Sequence, residues 1–309
     1  MPPRPARAAL VATATLVVLA ACASSPTVPA ATSGTAAGPT PWASGTRLAV
    51  VASTNVWGDV VGQVGGDLVA VTSIISDPSA DPHSYEANAR TQLAISQAAL
   101  IVANGGGYDD FVDTMVGALA TQPPVIHAVD VIATGEDNEH VWYDLPGVQK
   151  VADTVATQLG TLDPEHAATY AGNATAFDRK VAGVEQQVAD LKAAHAGAPV
   201  AITEPVPLYL LDEAGLVNVT PPAFSAAVED ETDVPPAVLA DTLALFRDHA
   251  VDALVYNAQT TGPQTEQVLT AAHDADIPVV PVTETLPAGT DYVGWMSANV
   301  TAIAGALGR

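Results

Sequence analysis

Of the seven histidines in the chain, two stand on segments suited to holding an imidazole toward a ligand. His83 lies in Ser76-Asp77-Pro78-Ser79-Ala80-Asp81-Pro82-His83-Ser84-Tyr85-Glu86, where two prolines near the ring fix backbone angles and give it a stiff support. His140 lies in Glu136-Asp137-Asn138-Glu139-His140-Val141-Trp142-Tyr143-Asp144, where carboxylates either orient a ring nitrogen or simply surround it on a solvated loop. Taken singly, neither histidine is decided between ligand and surface residue. The others sort differently. His166, His195, His249 and His273 fall within or at the ends of predicted helices, His195 and His249 near C-termini where the helix dipole favours an imidazolium, and they read as surface residues. His127 ends a predicted strand, has Asp130 as its nearest acidic neighbour along the chain, and reads as structural.

Asp and Glu number 34 against 10 Lys and Arg, a formal charge of -24. Such a surface repels phosphate backbones and anionic headgroups, which excludes nucleic acid as a partner. It favours cations, although a surplus of carboxylates is also what a solvated surface looks like. Cys22 is the single cysteine, so no internal disulfide and no thiolate zinc cage can form, and any metal must take nitrogen and oxygen ligands. With 309 residues, 49% hydrophobic and 14% charged, the chain can bury a sizeable core as one long domain or two ordinary ones.

The first residues read as a targeting segment. Arg4 and Arg7 precede an uncharged stretch from Ala8 to Ala21, too short and Ala-rich for a stable membrane span. Leu19-Ala20-Ala21-Cys22 resembles a bacterial lipobox, which predicts a signal peptide over 1–21 and lipidation of Cys22. Residues 23–46 carry no charged side chain and are rich in Ala, Ser, Thr, Pro and Gly, the composition of a flexible tether, so the expected linker is 22–46.

The elements that must position the histidines follow from hydropathy. Leu48–Ala52, Leu68–Val71 and Leu100–Ala103 are short apolar runs separated by helix-length segments, with Val125-Ile126 closing the set, and this alternation predicts a parallel sheet. A helix is expected over 146–159, and Asp163-Pro164 announces a long one reaching about Ala196, with Phe177, Val181, Val184, Val188 and Leu191 at three- and four-residue steps. Gly172 and Gly183 weaken the case for its continuity. The pattern then restarts with strands at Val200–Ile202, Ala253–Tyr256 and Pro278–Val282 and helices over 236–249 and 263–275. The expectation is an α/β protein of two lobes with mainly parallel sheets joined by one long helix: an N-terminal lobe over 47–145, connecting helices over 146–196 and a C-terminal lobe over 197–309. Ligands in such sheets bind beyond the carboxyl ends of the strands.

Asp81-Pro82-His83-Ser84-Tyr85-Glu86, Ala99-Leu100-Ile101-Val102-Ala103-Asn104-Gly105, His140-Val141-Trp142 and Asp163-Pro164 occur in that order behind the lipobox. In this the chain is similar, from Arg47 to about Asn299, to the metal-binding substrate-binding proteins of ABC importers, the zinc and manganese group of cluster A-I. The resemblance implies a metal site whose first two ligands are His83 and His140. It implies a third ligand at Glu204, in Ile202-Thr203-Glu204-Pro205, and a fourth at Glu284, in Val282-Thr283-Glu284-Thr285. Many zinc-type relatives have histidine where this chain has Glu204, and the metal is left open between Zn²⁺ and Mn²⁺. Some zinc-importing relatives carry a long His-rich loop before the second ligand; here the stretch offers only Glu136, Asp137 and Glu139, so no auxiliary chelating loop is expected.

The four proposed ligands are separated by 57, 64 and 80 residues, so only tertiary structure can gather them. Two imidazoles and two carboxylates compensate a divalent charge and suit Mn²⁺, Fe²⁺ or Zn²⁺. Trp142 and Tyr85 flank the histidines and either shield the site from water or simply pack, and Asp144 is placed to accept a hydrogen bond from an imidazole N–H. The implied activity is capture of one divalent transition metal ion and its delivery to an ABC permease. The protein would be a monomer, no enzyme, anchored at the outer face of the cell membrane through Cys22. A metal-dependent hydrolase is the rival class, since two imidazoles and two carboxylates can serve catalysis, yet the chain has no H-E-x-x-H, G-x-S-x-G, Walker loop or G-x-G-x-x-G. A surface adhesin is the third reading, without the repeats or all-β modules expected of one.

Overall fold

The computed structural model describes residues 47–77, 82, 85–135 and 138–308. The expected leader and tether over 1–46 with Cys22, the imidazole of His83, and Glu136 and Asp137 lie outside the described residues.

Short, wholly apolar runs become the buried strands of two parallel sheets, as such runs must when helices cover both faces. The first sheet contains β1 (Leu48–Thr54), β2 (Val69–Ile75), β3 (Leu100–Ala103) and β4 (Val125–His127) in the order β2-β1-β3-β4. The second contains β5 (Pro199–Ile202), β6 (Val217–Asn218), β7 (Ala253–Asn257) and β8 (Val279–Val282) in the order β6-β5-β7-β8. Both lobes are therefore wound alike, with a switch of direction between the first and third strand of each, where a crevice opens beyond the carboxyl ends. Helices α1 (Asn55–Gly65), α2 (Ala89–Gln97), α3 (Phe111–Gly117) and α4 (Ala128–Ile132) belong to the first lobe. Helices α5 (Leu145–Leu162) and α6 (Ala167–His195) join the lobes, and α7 (Leu208–Glu213), α8 (Pro222–Glu229), α9 (Pro236–Arg247), α10 (Pro263–Asp274) and α11 (Tyr292–Leu307) complete the second. Among the described residues no helix is long and apolar enough to cross a membrane.

The long helix begins three residues later than Asp163-Pro164 suggests, because Pro164–His166 form a 3₁₀ turn. Asp163 accepts there from His166 Nδ1 at 2.7 Å and from the Tyr170 hydroxyl at 2.9 Å. From Ala167 the helix runs unbroken for 29 residues, about 44 Å. Its buried stripe is Tyr170, Ala174, Phe177, Val181, Val184, Val188 and Leu191, while Gly172 and Gly183 fall on the exposed face. Packing of the stripe holds the helix, so two exposed glycines do not interrupt it.

One apolar core runs through both lobes, taking Trp57 from α1, Val148 and Val151 from α5, Phe177 and Val184 from α6, Ile202 from β5 and Met296 from α11. The lobes are also stitched beside it. Asn55, at the start of α1, donates from Nδ2 to the Leu286 carbonyl at 3.0 Å and accepts from the Leu286 amide at 2.9 Å, and the Tyr292 amide donates to Asp59 at 2.9 Å.

Two predictions arise from these connecting elements. Nothing lies within 4 Å of a Cβ built on Gly183. Gly183→Ala therefore stabilises the protein by about 0.5–1 kcal/mol in urea unfolding, and a loss of stability would contradict a continuous, exposed helix there. At the end of α7, burial, helped by the charges of Glu185 and Asp144 and opposed by Lys192, lifts the Glu213 carboxyl to about 7. A carboxyl raised on folding holds its proton more tightly in the native state, so its contribution to stability falls as pH climbs from the ordinary carboxylate range to about 7. Unfolding curves of Glu213→Gln against wild type should show the variant gaining relative stability across that window; parallel pH profiles would contradict it.

Candidate metal centre

The site is built from the loops that follow the strands. After β3, Gly105, Gly106 and Gly107 all take positive φ, and a Cβ at Gly105 would come 2.8 Å from Val129 Cγ2, so only glycine lets the chain wind this tightly. Asp109 clamps the turn by accepting from the Asn104 and Gly105 amides at 2.6 and 2.7 Å. The three glycines thus have a structural task, which is to deliver Tyr108 into the crevice. Asn104 Nδ2 donates to the Glu139 carbonyl at 2.8 Å and ties this turn to the loop bearing His140.

His140 is fully buried and precedes a 3₁₀ turn over Val141–Tyr143. Its Nδ1 lies 2.8 Å from Asn138 Oδ1, which also accepts the His140 backbone N–H at 3.2 Å. The Asn138 amide nitrogen donates to the Pro205 carbonyl of the second lobe at 3.2 Å, which fixes the orientation of the amide and leaves its oxygen facing the ring. An amide oxygen only accepts, so Nδ1 carries a proton and Nε2 is the ring nitrogen turned toward the crevice. Glu229 Oε1 lies 3.6 Å and Glu284 Oε2 3.8 Å from that Nε2. Donors bound to one ion at about 2.1 Å stand about 3.0–3.4 Å apart in octahedral to tetrahedral geometry, so these groups stand a few tenths of an ångström wider than ligands of one ion and need only a small approach to share it. Glu139, His140 and Glu229 offer one atom each within 4.8 Å of one another.

The carboxylates come from the second lobe. Glu284 is two residues past β8 and 1% exposed. Asn257 Nδ2, at the end of β7, donates to its Oε1 at 2.9 Å, and the Tyr108 hydroxyl donates to its Oε2 at 3.0 Å from across the crevice. Its backbone N–H donates to the side-chain oxygen of Gln259. Glu204 is two residues past β5, on the same edge of the sheet, and 2% exposed. Its neighbour Thr203 accepts the Asn257 amide at 2.9 Å, so the ends of β5, β7 and β8 form one linked edge.

Aromatic rings dry the crevice. Trp142 meets His140 edge-on with centroids 5.1 Å apart, and Tyr108 packs against Trp142 at 4.9 Å. Tyr143 donates to the Thr283 carbonyl at 2.8 Å and Tyr292 to the Trp142 carbonyl at 2.8 Å. Burial, reinforced by the charge of Glu284 for Tyr143 and of Asp144 for Tyr292, holds both phenols well above their ordinary pKa, so they remain donors.

Of the residues expected from sequence, His140 and Glu284 are brought together, and Glu204 is buried two residues past β5 on the linked edge; His83 lies outside the described residues. Trp142 forms a wall of the crevice. Asp144 does not serve the imidazole: it caps α5 by accepting the Gly147 amide at 3.2 Å, and Asn138 takes the position at Nδ1. Tyr85 packs with Phe111 at 4.9 Å and pairs its hydroxyl with Thr91 at 2.6 Å, so its described contacts are packing within the first lobe. His127 finds Asp113 of α3 at 2.9 Å, closer than Asp130 at 3.9 Å, in keeping with a structural role. Sequence reading missed Tyr108, Asn138, Asn257 and Glu229.

The family model of ZnuA, described as zinc-uptake complex component A, periplasmic, matches residues 50–306. The chain belongs to this family. The manganese-binding lipoprotein MntA of Halalkalibacterium halodurans is 26% identical over 151 residues, 47% of this chain and 50% of that protein. The manganese ABC transporter substrate-binding lipoprotein PsaA of Streptococcus mitis is 28% identical over 190 residues, 57% of each. The matches thus span about half the length of these curated relatives. Among solved structures, the substrate-binding protein FpvC of P. aeruginosa in complex with Ni²⁺ superposes with a TM-score of 0.71 at 22% identity, covering 85% of this chain and 97% of that one, a likeness of fold. The two-lobed ZnuA-type architecture is therefore the one expected from hydropathy.

The hydrogen bond between Asn138 and His140 has a direct readout. In the metal-free protein, nitrogen NMR of His140 should report the Nδ1–H tautomer, and Asn138→Ala should convert it to a mixture. An Nε2–H tautomer in wild type would contradict the geometry.

Proposed function

We propose that this ZnuA-family chain is the extracytoplasmic binding protein of a metal ABC importer. It captures one divalent transition metal ion, Mn²⁺ or Zn²⁺, in the crevice between its lobes and hands it to a permease. His140, Glu284, Glu204 and His83 are the ligands. The observation that carries this reading is the approach of Glu284 Oε2 to within 3.8 Å of a buried imidazole nitrogen from the opposite lobe. A nitrogen and oxygen donor set suits a borderline or hard divalent ion, as do the manganese and nickel named for the relatives above. No bond is made or broken, and the family relation is to transport components rather than to hydrolases.

Release to the permease requires that contacts across the crevice part, among them Tyr108 with Glu284, Asn138 with Pro205 and Tyr209 with Asn138. The core through α6 and the pairing of Asn55 with Leu286 resist larger motion, so the lobes shift little as metal enters and leaves. Lipidation at Cys22 would keep the protein, as a monomer, beside the permease at the outer face of the membrane, in line with the lipoprotein relatives.

Metal analysis with calorimetry tests the reading. The purified protein should bind one Mn²⁺ or Zn²⁺ per chain. His140→Ala should abolish binding, and Glu204→Ala should weaken it at least about tenfold with the circular dichroism spectrum unchanged. Undiminished affinity in His140→Ala would exclude the crevice as the site.

A further inference from the structure

We propose that Glu229 is an additional carboxylate ligand of the cation site, and that it shifts the preference of the site from zinc toward manganese. The proposal rests on the reading of the crevice given above and goes beyond the four ligands expected there.

Glu229 comes from an element that supplies none of those four. It is the last residue of α8, and its Oε1 stands 3.6 Å from His140 Nε2, nearer than the 3.8 Å of Glu284. The same nitrogen thus faces two carboxylates, one from the end of α8 and one from the loop after β8, each at a distance that one ion can span. The setting around it gathers negative charge. The side chain is 13% exposed, it lies at a helix C-terminus where the backbone carbonyls already concentrate negative potential, and the carboxylate of Glu284 faces the same imidazole. A divalent ion between them turns each of these unfavourable terms into an attraction.

The chemistry then separates the two metals. Zinc is satisfied by four donors in tetrahedral geometry, the number that the four ligands of the proposed function would offer through one atom each. Manganese accepts about six donors, mostly oxygen, with little preference imposed by its d electrons. A third carboxylate provides a fifth donor, and a sixth if one carboxylate binds through both oxygens. Glu229 therefore adds much to manganese binding and little to zinc binding, narrowing the intrinsic advantage that zinc holds at nitrogen and oxygen sites.

The test is competition between Mn²⁺ and Zn²⁺ on the purified protein, on Glu229→Gln, which keeps the shape of the side chain, and on Glu231→Gln, which removes an exposed charge two residues away. Glu229→Gln should lower Mn²⁺ affinity about tenfold or more while Zn²⁺ affinity changes by less than about threefold, and Glu231→Gln should change neither. Water-proton relaxation by bound Mn²⁺ should rise in Glu229→Gln, as a water fills the vacated position. Equal losses for the two metals, or no loss, would overturn the proposal. Should Glu229→Gln fail to fold, relaxation of wild type decides: at most one water on the bound Mn²⁺ is expected, and two would overturn it. Binding of both metals that survives in His140→Ala would instead show the crevice itself to be misassigned, separating that failure from one confined to Glu229.

Discussion

Glu284, 1% exposed, and Glu229 face a fully buried imidazole, and gathering carboxylates away from water is the constraint that the surrounding structure answers. Hydrogen bonds to both oxygens of Glu284, one from Asn257 in its own lobe and one from Tyr108 in the other, fix its direction. The Asn138 amide does the complementary work on His140, committing one ring nitrogen to donation so that the other faces the carboxylates. Preorganised donors of this kind would lose little freedom on taking up the cation of the proposed function.

The fold allows this because each lobe repeats one winding. Strand order reverses between β1 and β3 and again between β5 and β7, so each lobe opens a crevice at its carboxyl edge, and the loops from the two edges meet. On the far side, α6 contributes its apolar stripe to a core shared by both lobes. In the proposed function a chain built this way parts at the mouth of the crevice, where hydrogen bonds span the gap, rather than along the buried seam.

Much of the framework was legible in the amino-acid order. Leu100–Ala103 and Val279–Val282 are apolar throughout or nearly so, as parallel strands covered on both sides must be, and the three-and-four spacing of Phe177 to Leu191 marks the buried face of α6. The two-residue β6 and the six-residue α7 are too short to carry a period, and they went unread. At the site, His140 stood out by residue type, while Glu204 and Glu284 came only with the family resemblance, since a lone glutamate after a strand looks like any solvated loop residue. Glu229 opens the acidic run Glu229-Asp230-Glu231, and only tertiary packing turns its side chain inward while Asp230 and Glu231 stay exposed. Asp144 and Asn138 flank His140 in sequence, and the backbone decided between them: the residue that begins α5 was consumed by capping the helix, which left the amide for the ring.

The most direct measurement is anomalous diffraction at the metal absorption edge from crystals of the loaded protein. The account predicts a single strong peak in the crevice, about 2.0–2.3 Å from His140 Nε2 and from carboxylate oxygens of Glu204 and Glu284. A peak at any other place on the molecule, with His140 Nε2 still directed at the carboxylates alone, would contradict it.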